Sequence, residues 1–112
     1  MNASPIDLQF LEEASDGDHA EMMDLVHTAR TDMRQQLEAL TQALLGGDLL
    51  VIKNAAHKVK GSSAMIGAHA LKAVCLQIEM AAKAGTRDPL AGFEVQCDSE
   101  ARRVLDALDA CR

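Results

Sequence analysis

The chain has 112 residues and a formal net charge of −6, which is the size of one domain and too short for two. Apolar residues make up 48% and charged residues 25% of the sequence, as in a soluble globular protein rather than a disordered one. The acidic balance argues against nucleic-acid binding, because that function needs clustered lysine and arginine side chains. We therefore expect a single domain over residues 1–112.

The N-terminal segment and the cysteines favour a cytoplasmic protein. Residues 1–10 have neither the basic start nor the apolar core of a signal peptide. Apolar runs are far shorter than the roughly 20 residues that cross a bilayer, so no membrane association is expected. Cys75, Cys97 and Cys111 are an odd number of cysteines without paired spacing, which favours reduced thiols.

The first predicted helix is short. Ser4 can cap it, Pro5 suits its first position and Asp7 supplies an acid at the third. Leu8 and Leu11 are expected to form its buried side. The second helix is the longest, and its apolar residues recur at steps of three and four: Met22, Val26, Ala29, Met33, Leu37, Leu40 and Leu44.

Glycines and helix caps separate the next three predicted helices. After Gly46 and Gly47, Asp48 can cap a third helix with the apolar stripe Leu49, Ile52, Ala56, Val59, Ser63 and Ile66. Gly67 ends or bends it, and a fourth helix ending at Gly85 carries the apolar residues Leu71, Cys75, Ile78 and Ala82, among which Cys75 is expected to be a small core residue. Asp88 is the predicted cap of the last helix, whose apolar residues are Phe93, Cys97, Ala101, Val104 and Leu108.

The composition and the spacing together predict an all-α fold. The chain has two Phe, no Tyr and no Trp, whereas sheets rely on aromatic and β-branched residues. Short connections between long amphipathic helices imply antiparallel neighbours. We expect an up-down antiparallel four-helix bundle, with the short N-terminal helix packed across it, that exists as a monomer.

One histidine on the third helix does not fit a purely structural role. Helical geometry places His57 about 130° from the centre of the apolar stripe, pointing into solvent. A solitary histidine is more often an incidental surface or core residue, so the interpretation depends on its neighbours. On the same helical rotation these are Lys53, Asn54, Lys60, Gly61 and Ala64.

Gly61 is the most unusual of these neighbours. The apolar stripe continues past it, so Gly61 lies inside the helix, where glycine costs about 1 kcal/mol relative to alanine. A helix that accepts this cost one turn from an exposed imidazole is suited to close approach by another macromolecule. The alternative is that Gly61 allows a tight helix crossing within the bundle. The predicted exposed position of Gly61 makes this alternative the weaker explanation.

The chemistry of an exposed imidazole suits phosphoryl transfer. Neutral imidazole is nucleophilic at nitrogen and can hold a phosphoryl group as a phosphoramidate. Lys60 can screen the charged oxygens as a point charge. The chain has no phosphate-binding glycine-rich loop and no nucleotide motif, so the phosphate must come from another protein.

The segment over residues 56–68 resembles the signature of histidine-containing phosphotransfer (HPt) domains. The elements that carry the resemblance are His57, Lys60, Gly61, Ser62, Ser63, Gly67 and Ala68. The likeness extends to Gly47 and Asp48 before the helix and to Leu71, Cys75, Ile78 and Glu79 after it. Two positions depart from the family: Val59 replaces the usual Leu, and Val26 lies where an aromatic residue is common.

The resemblance implies a phosphorelay intermediate rather than an enzyme. By analogy, His57 accepts a phosphoryl group from a receiver-domain aspartate and passes it to another response regulator. Lys60 would steady the phosphoryl group, and Gly61 would allow the receiver to approach. Partner contacts are expected at Lys53, Ala64 and Ala68. The expected partners are receiver domains of response regulators and hybrid histidine kinases, which bring Mg²⁺, so this chain needs no cofactor of its own.

Two other classes of function remain open. The first is a non-phosphorylated adaptor that binds receiver or kinase domains, for which the imidazole would be unnecessary. The second is an enzyme with His57 as general base, which lacks a second catalytic group in the motif. No metal site is expected, because His19 and His27 would lie roughly 12 Å apart along one helix.

Overall fold

The computed structural model describes residues 4–111, and within them the chain forms five α-helices and no strand. The helices are α1 (Leu8–Ala14), α2 (His19–Gly46), α3 (Leu49–Met65), α4 (His69–Ala84) and α5 (Leu90–Ala110). The all-α prediction is confirmed. No helix in the described part of the chain is long and apolar enough to span a membrane.

The four long helices form a closed bundle. Helix α3 packs against α2 and α4, and α5 packs against α4 and α2, so that α3 and α5 lie diagonally across the bundle. Helix α1 packs on α2. The largest fully buried side chains come from all five helices and their connections: Ile6, Leu11, Met33, Leu40, Ile52, Ile66, Leu71, Ile78 and Leu108.

The start of the first helix differs from the prediction. The N-cap is Asp7, whose carboxylate accepts a hydrogen bond from the backbone N–H of Phe10 at 3.0 Å, and Ser4 caps only the N–H of Ile6. The reason is packing, because Ile6 is buried in the core and holds the residues before Asp7 out of a helix. As a consequence Leu8 is exposed, whereas Leu11 is buried as expected.

The predicted helix ends are mostly confirmed. Gly47 ends α2 in the left-handed conformation, and the Asp48 carboxylate accepts from the N–H groups of Leu50 and Val51 at the start of α3. Asp88, however, does not cap α5. The helix begins one residue later than expected, with Pro89 as the N-cap residue and no side-chain capping bond.

The turn between α3 and α4 holds the N-terminal segment against the bundle. Gly67 has a φ of +64°, and a Cβ atom at this position would collide with the Cβ atom of Asp7. The Asp7 N–H also donates to the carbonyl of Ile66 at 3.1 Å. Glycine is therefore required here both for its backbone conformation and for the close approach of the segment that leads into α1.

Candidate functional site

His57 lies in the middle of α3 on its outward side. Its side chain is 66% exposed, whereas Ile52, Ala56, Val59 and Ser63 on the opposite side of the same helix are buried. The prediction from helical periodicity that His57 faces solvent is confirmed. Because both ends of α3 are anchored, by the Asp48 cap and by the turn after it, the imidazole has a defined place on the bundle surface.

One ring nitrogen of His57 is held by a carboxylate on the neighbouring helix. Nδ1 of His57 lies 2.7 Å from Oε2 of Glu79. An ionised carboxylate only accepts hydrogen bonds, so Nδ1 carries the proton and donates it to Glu79. The tautomer leaves the lone pair on Nε2, the nitrogen away from Glu79. The arrangement therefore presents one nucleophilic nitrogen with a fixed ring orientation.

The same carboxylate binds Lys60. Nζ of Lys60 donates to Oε1 of Glu79 at 2.6 Å, and the Glu79 side chain is only 17% exposed. The hydrogen bond from Lys60, aided by the one from His57, lowers the pKa of Glu79 below its ordinary value against the opposing effect of burial. Glu79 thus stays ionised at neutral pH and connects the nucleophile to the lysine one turn away.

The sequence does not assign this role to Glu79, although a signal is present. Glu79 enters the sequence analysis only through the family resemblance. It is, however, the only acidic residue between Asp48 and Asp88, so it is the one carboxylate that α3 and α4 carry. When a basic segment contains a single acidic residue and packs beside an exposed histidine, a direct contact between that acidic residue and the histidine can be expected.

The structure places most of the other predicted site residues around His57. Gly61 is exposed inside α3, and apart from its chain neighbours and the nearby backbone of α3 no atom lies within 4 Å of the position that a Cβ would take. This open space excludes the alternative of a tight helix crossing. Ala64 is exposed and Lys53 is half-buried, both on α3.

Ala68 requires a correction. It is fully buried and precedes the first residue of α4, so it does not lie on the surface where a partner could touch it. Its backbone N–H donates to the carbonyl of Ser63 at 2.9 Å and its carbonyl accepts from the N–H of Lys72. Its small side chain fills the core at the α3–α4 turn, a structural role.

Charge is distributed unevenly over the bundle. All five lysines of the chain, Lys53, Lys58, Lys60, Lys72 and Lys83, lie on α3 and α4, where Glu79 is the only acid. The protein as a whole has a net charge of −6. The two helices that carry the site are therefore basic, and the remainder of the molecule is strongly acidic.

The remaining candidate groups do not form a second site of this kind. Cys75 and Cys97 are buried free thiols on α4 and α5, and a hydrogen bond between them together with burial raises the pKa of Cys75. The prediction that Cys75 is a core residue is confirmed. Among residues 4–111, no three His, Cys, Asp or Glu side chains are placed to hold a metal ion.

Comparisons with known proteins agree with this fold. The family model of the Hpt domain matches residues 24–111, which is more than half of the chain, and the chain therefore belongs to the Hpt domain family. Its structure is similar to the crystal structure of histidine-containing phosphotransfer protein B (HptB) from Pseudomonas aeruginosa PAO1. The TM-score is 0.85 at 26% sequence identity, over 96% of this chain and 94% of that chain.

A comparison with curated proteins gives no match. Family membership and the structural similarity together define the function as histidine phosphotransfer in a phosphorelay.

Proposed function

We propose that His57 is the phosphoacceptor and that Nε2 is the nucleophilic nitrogen. The observation that carries the proposal is the 2.7 Å contact between Nδ1 of His57 and Glu79. The rest of the His57 side chain is exposed, so that a partner can reach it. The Nε2 lone pair attacks the phosphorus of an aspartyl phosphate on a receiver domain. An Nε2–P bond forms, the P–O bond to the aspartate breaks, and the aspartate carboxylate leaves with the electron pair.

Glu79 has a second part in this step. Once Nε2 is phosphorylated, the ring carries a positive charge for as long as Nδ1 keeps its proton. The ionised carboxylate faces that charge directly and stabilises it. Transfer to a second receiver is the reverse reaction, in which the aspartate attacks phosphorus and Nε2 leaves with its lone pair.

Lys60 is proposed to steady the phosphoryl group by exchanging partners. Its ammonium group is bonded to Glu79 in the resting site, and Lys60 follows His57 by three residues on α3, which makes the two side chains neighbours on the helix surface. The flexible lysine stem lets the ammonium turn toward the new phosphoryl oxygens. Gly61 and Ala64 then leave room above α3 for the receiver, and Lys53 adds positive charge beside it.

We propose a monomeric cytoplasmic phosphocarrier without a cofactor of its own. Its partners are receiver domains of response regulators and hybrid kinases. Mg²⁺ is expected to arrive with the receiver's carboxylates, because the one acid at this site is already occupied by His57 and Lys60. An outward-facing helix surface is poorly suited to excluding water from a substrate, which speaks against an independent enzyme.

The test is phosphate transfer from a receiver phosphorylated with acetyl phosphate in the presence of Mg²⁺. The protein should acquire acid-labile, base-stable phosphate, and His57→Gln should remove the labelling while leaving the melting temperature nearly unchanged, because the side chain is exposed. His69→Gln is the matched control, since His69 is also exposed. A wild-type protein that binds receivers without becoming labelled would instead be an adaptor, and labelling of His57→Gln would refute the assignment of the acceptor.

A further inference from the structure

Two of the three cysteines meet inside the bundle. Cys75 on α4 is completely buried and Cys97 on α5 is 3% exposed, and the two helices pack against each other. Both thiols are free, and a hydrogen bond links them. A buried cysteine usually acts as a small apolar residue of the core. Two thiols in contact across a helix interface also have the starting arrangement for a disulfide bond.

The two thiols differ in access and in acidity. Cys97 lines a groove of about 580 Å³ between α2 and α5, whereas Cys75 belongs to the closed core. The hydrogen bond with Cys75 lowers the pKa of Cys97 against the opposing effect of burial, and it raises the pKa of Cys75. Because the thiolate is the reactive form, Cys97 is the thiol that a small oxidant in the groove attacks first, and Cys75 is placed to react with the product.

Cys75 is also close to the carboxylate that holds His57. Glu79 follows Cys75 by four residues, which is one turn of α4, and its negative charge contributes to the raised pKa of Cys75. Helix α4 packs against both α5 and α3, and the contact between Glu79 and His57 joins α4 to α3. A movement of this part of α4 toward α5 therefore draws Glu79 away from His57.

We propose that Cys75 and Cys97 form a redox modification site, at which hydrogen peroxide produces a disulfide bond between α4 and α5 that slows phosphoryl transfer by His57. Formation of the disulfide is independent of the proposed function, whereas its effect on transfer rests on that function.

The oxidation proceeds in two steps. The Cys97 thiolate attacks one oxygen of hydrogen peroxide, so that an S–O bond forms, the O–O bond breaks and hydroxide leaves. The Cys75 sulfur then attacks the sulfur of the resulting sulfenic acid, an S–S bond forms, the S–O bond breaks and a second hydroxide leaves. The protons of the two thiols convert both hydroxides into water. The thiols lose two electrons in total, and the peroxide gains them.

The disulfide requires a small movement of α4. Bonded sulfur atoms are roughly 2 Å apart, closer than hydrogen-bonded thiols, so Cys75 is drawn toward α5. Because a protein interior is closely packed, the movement is passed along the helix and is not absorbed by empty space. Glu79 then holds the ring of His57 less firmly. Exchange with a dithiol reductant reverses the change.

The first test is peptide mapping by mass spectrometry after treatment with hydrogen peroxide and alkylation of the remaining thiols. Peptides linked through Cys75 and Cys97 should appear, and dithiothreitol should separate them. The matched control is Cys111→Ser, since Cys111 is the more exposed thiol and is bonded to the carbonyl of Ala107. This variant should form the same link. Alkylation of both Cys75 and Cys97 after the peroxide treatment, or a link through Cys111 in their place, would overturn the proposal.

The second test is the rate of phosphoryl transfer from a receiver phosphorylated with acetyl phosphate, measured after the peroxide has been removed. Oxidised Cys111→Ser should transfer about 5-fold more slowly than the reduced protein, and dithiothreitol should restore the rate. Cys97→Ala combined with Cys111→Ser cannot form the bond, and its rate should not respond to peroxide.

Equal transfer rates for the reduced and the disulfide-bonded protein would overturn the proposal. If no receiver labels the reduced protein, the proposed function fails and the effect on transfer fails with it. The peptide map still decides in that case whether the disulfide forms.

Discussion

The outward face of α3 and the turn that follows α3 each contain a glycine of the HPt-like motif, but for different physical reasons. At Gly61 the backbone is helical, and no atom beyond the adjacent part of α3 lies within 4 Å of the position that a Cβ would take, so the missing side chain leaves space on the outside of the protein. At Gly67 the backbone is left-handed and the space is filled by Asp7. A motif residue can therefore serve a partner at one position and the fold at another, and the structure separates the two.

The largest effect is expected at the turn. Gly67→Ala should lower the free energy of unfolding by about 2–4 kcal/mol. Alanine is strained in the left-handed backbone conformation of this position, and its Cβ would also collide with the backbone and Cβ of Asp7. The matched control is Gly85→Ala, which has a φ of +76° but open space around it and should lose only about 1 kcal/mol. Chemical denaturation measures both, and equal losses would show that Asp7 does not restrict this position.

The next effect concerns Glu79, which links the outward face of α3 to α4. Glu79→Gln should lower the free energy of unfolding by about 1 kcal/mol at neutral pH, because Lys60 and His57 lose the ionised carboxylate that accepts their hydrogen bonds. It should also slow transfer, since the ring of His57 is held less firmly.

The stability difference at Glu79 should depend on pH in a definite direction. Because the pKa of Glu79 is lowered in the folded protein, chiefly by Lys60, its carboxylate stabilises the fold above the unfolded-state pKa. That contribution is lost as the pH falls through the folded-state pKa. The free energies of unfolding of the wild-type protein and of Glu79→Gln should therefore converge at acidic pH. A pH-independent difference would contradict this, and Glu12→Gln on the exposed side of α1 serves as the control.

The smallest change in stability is expected at Gly61, and it has the opposite sign. Gly61→Gln should raise the free energy of unfolding by a few tenths to about 1 kcal/mol, because glutamine favours the helix and meets no neighbour. Phosphate transfer should nevertheless slow, because the new side chain stands where the receiver docks. Gly92→Gln, at an equally open position on α5, should be similarly more stable without slower transfer. A less stable Gly61→Gln would mean that this glycine serves the fold after all.

These differences also explain what can be predicted from the sequence. Periodicity determines which side of a helix is buried, so the all-α bundle and the outward position of His57 are predictable. Periodicity says nothing about how far one helix is shifted along its neighbour. The contact between His57 and Glu79 depends on that register between α3 and α4, which is why the sequence does not reveal the role of Glu79.

Errors arise where tertiary packing outweighs local preference. Ser4 and Pro5 have the chemistry of a helix start, but burial of Ile6 delays the helix until after the Asp7 cap. The motif predicts a place for Ala68 on the partner surface, whereas the turn at Gly67 directs it into the core.

The measurement that tests the central claim most directly is the ¹H–¹⁵N correlation spectrum of the histidine side chains, recorded before and after phosphorylation by a receiver. In the resting protein the spectrum should show His57 protonated at Nδ1, as its contact with Glu79 requires. After transfer, phosphorus should be bonded to Nε2 of His57. Phosphorus on Nδ1, or on His19, His27 or His69 in place of His57, would contradict the account.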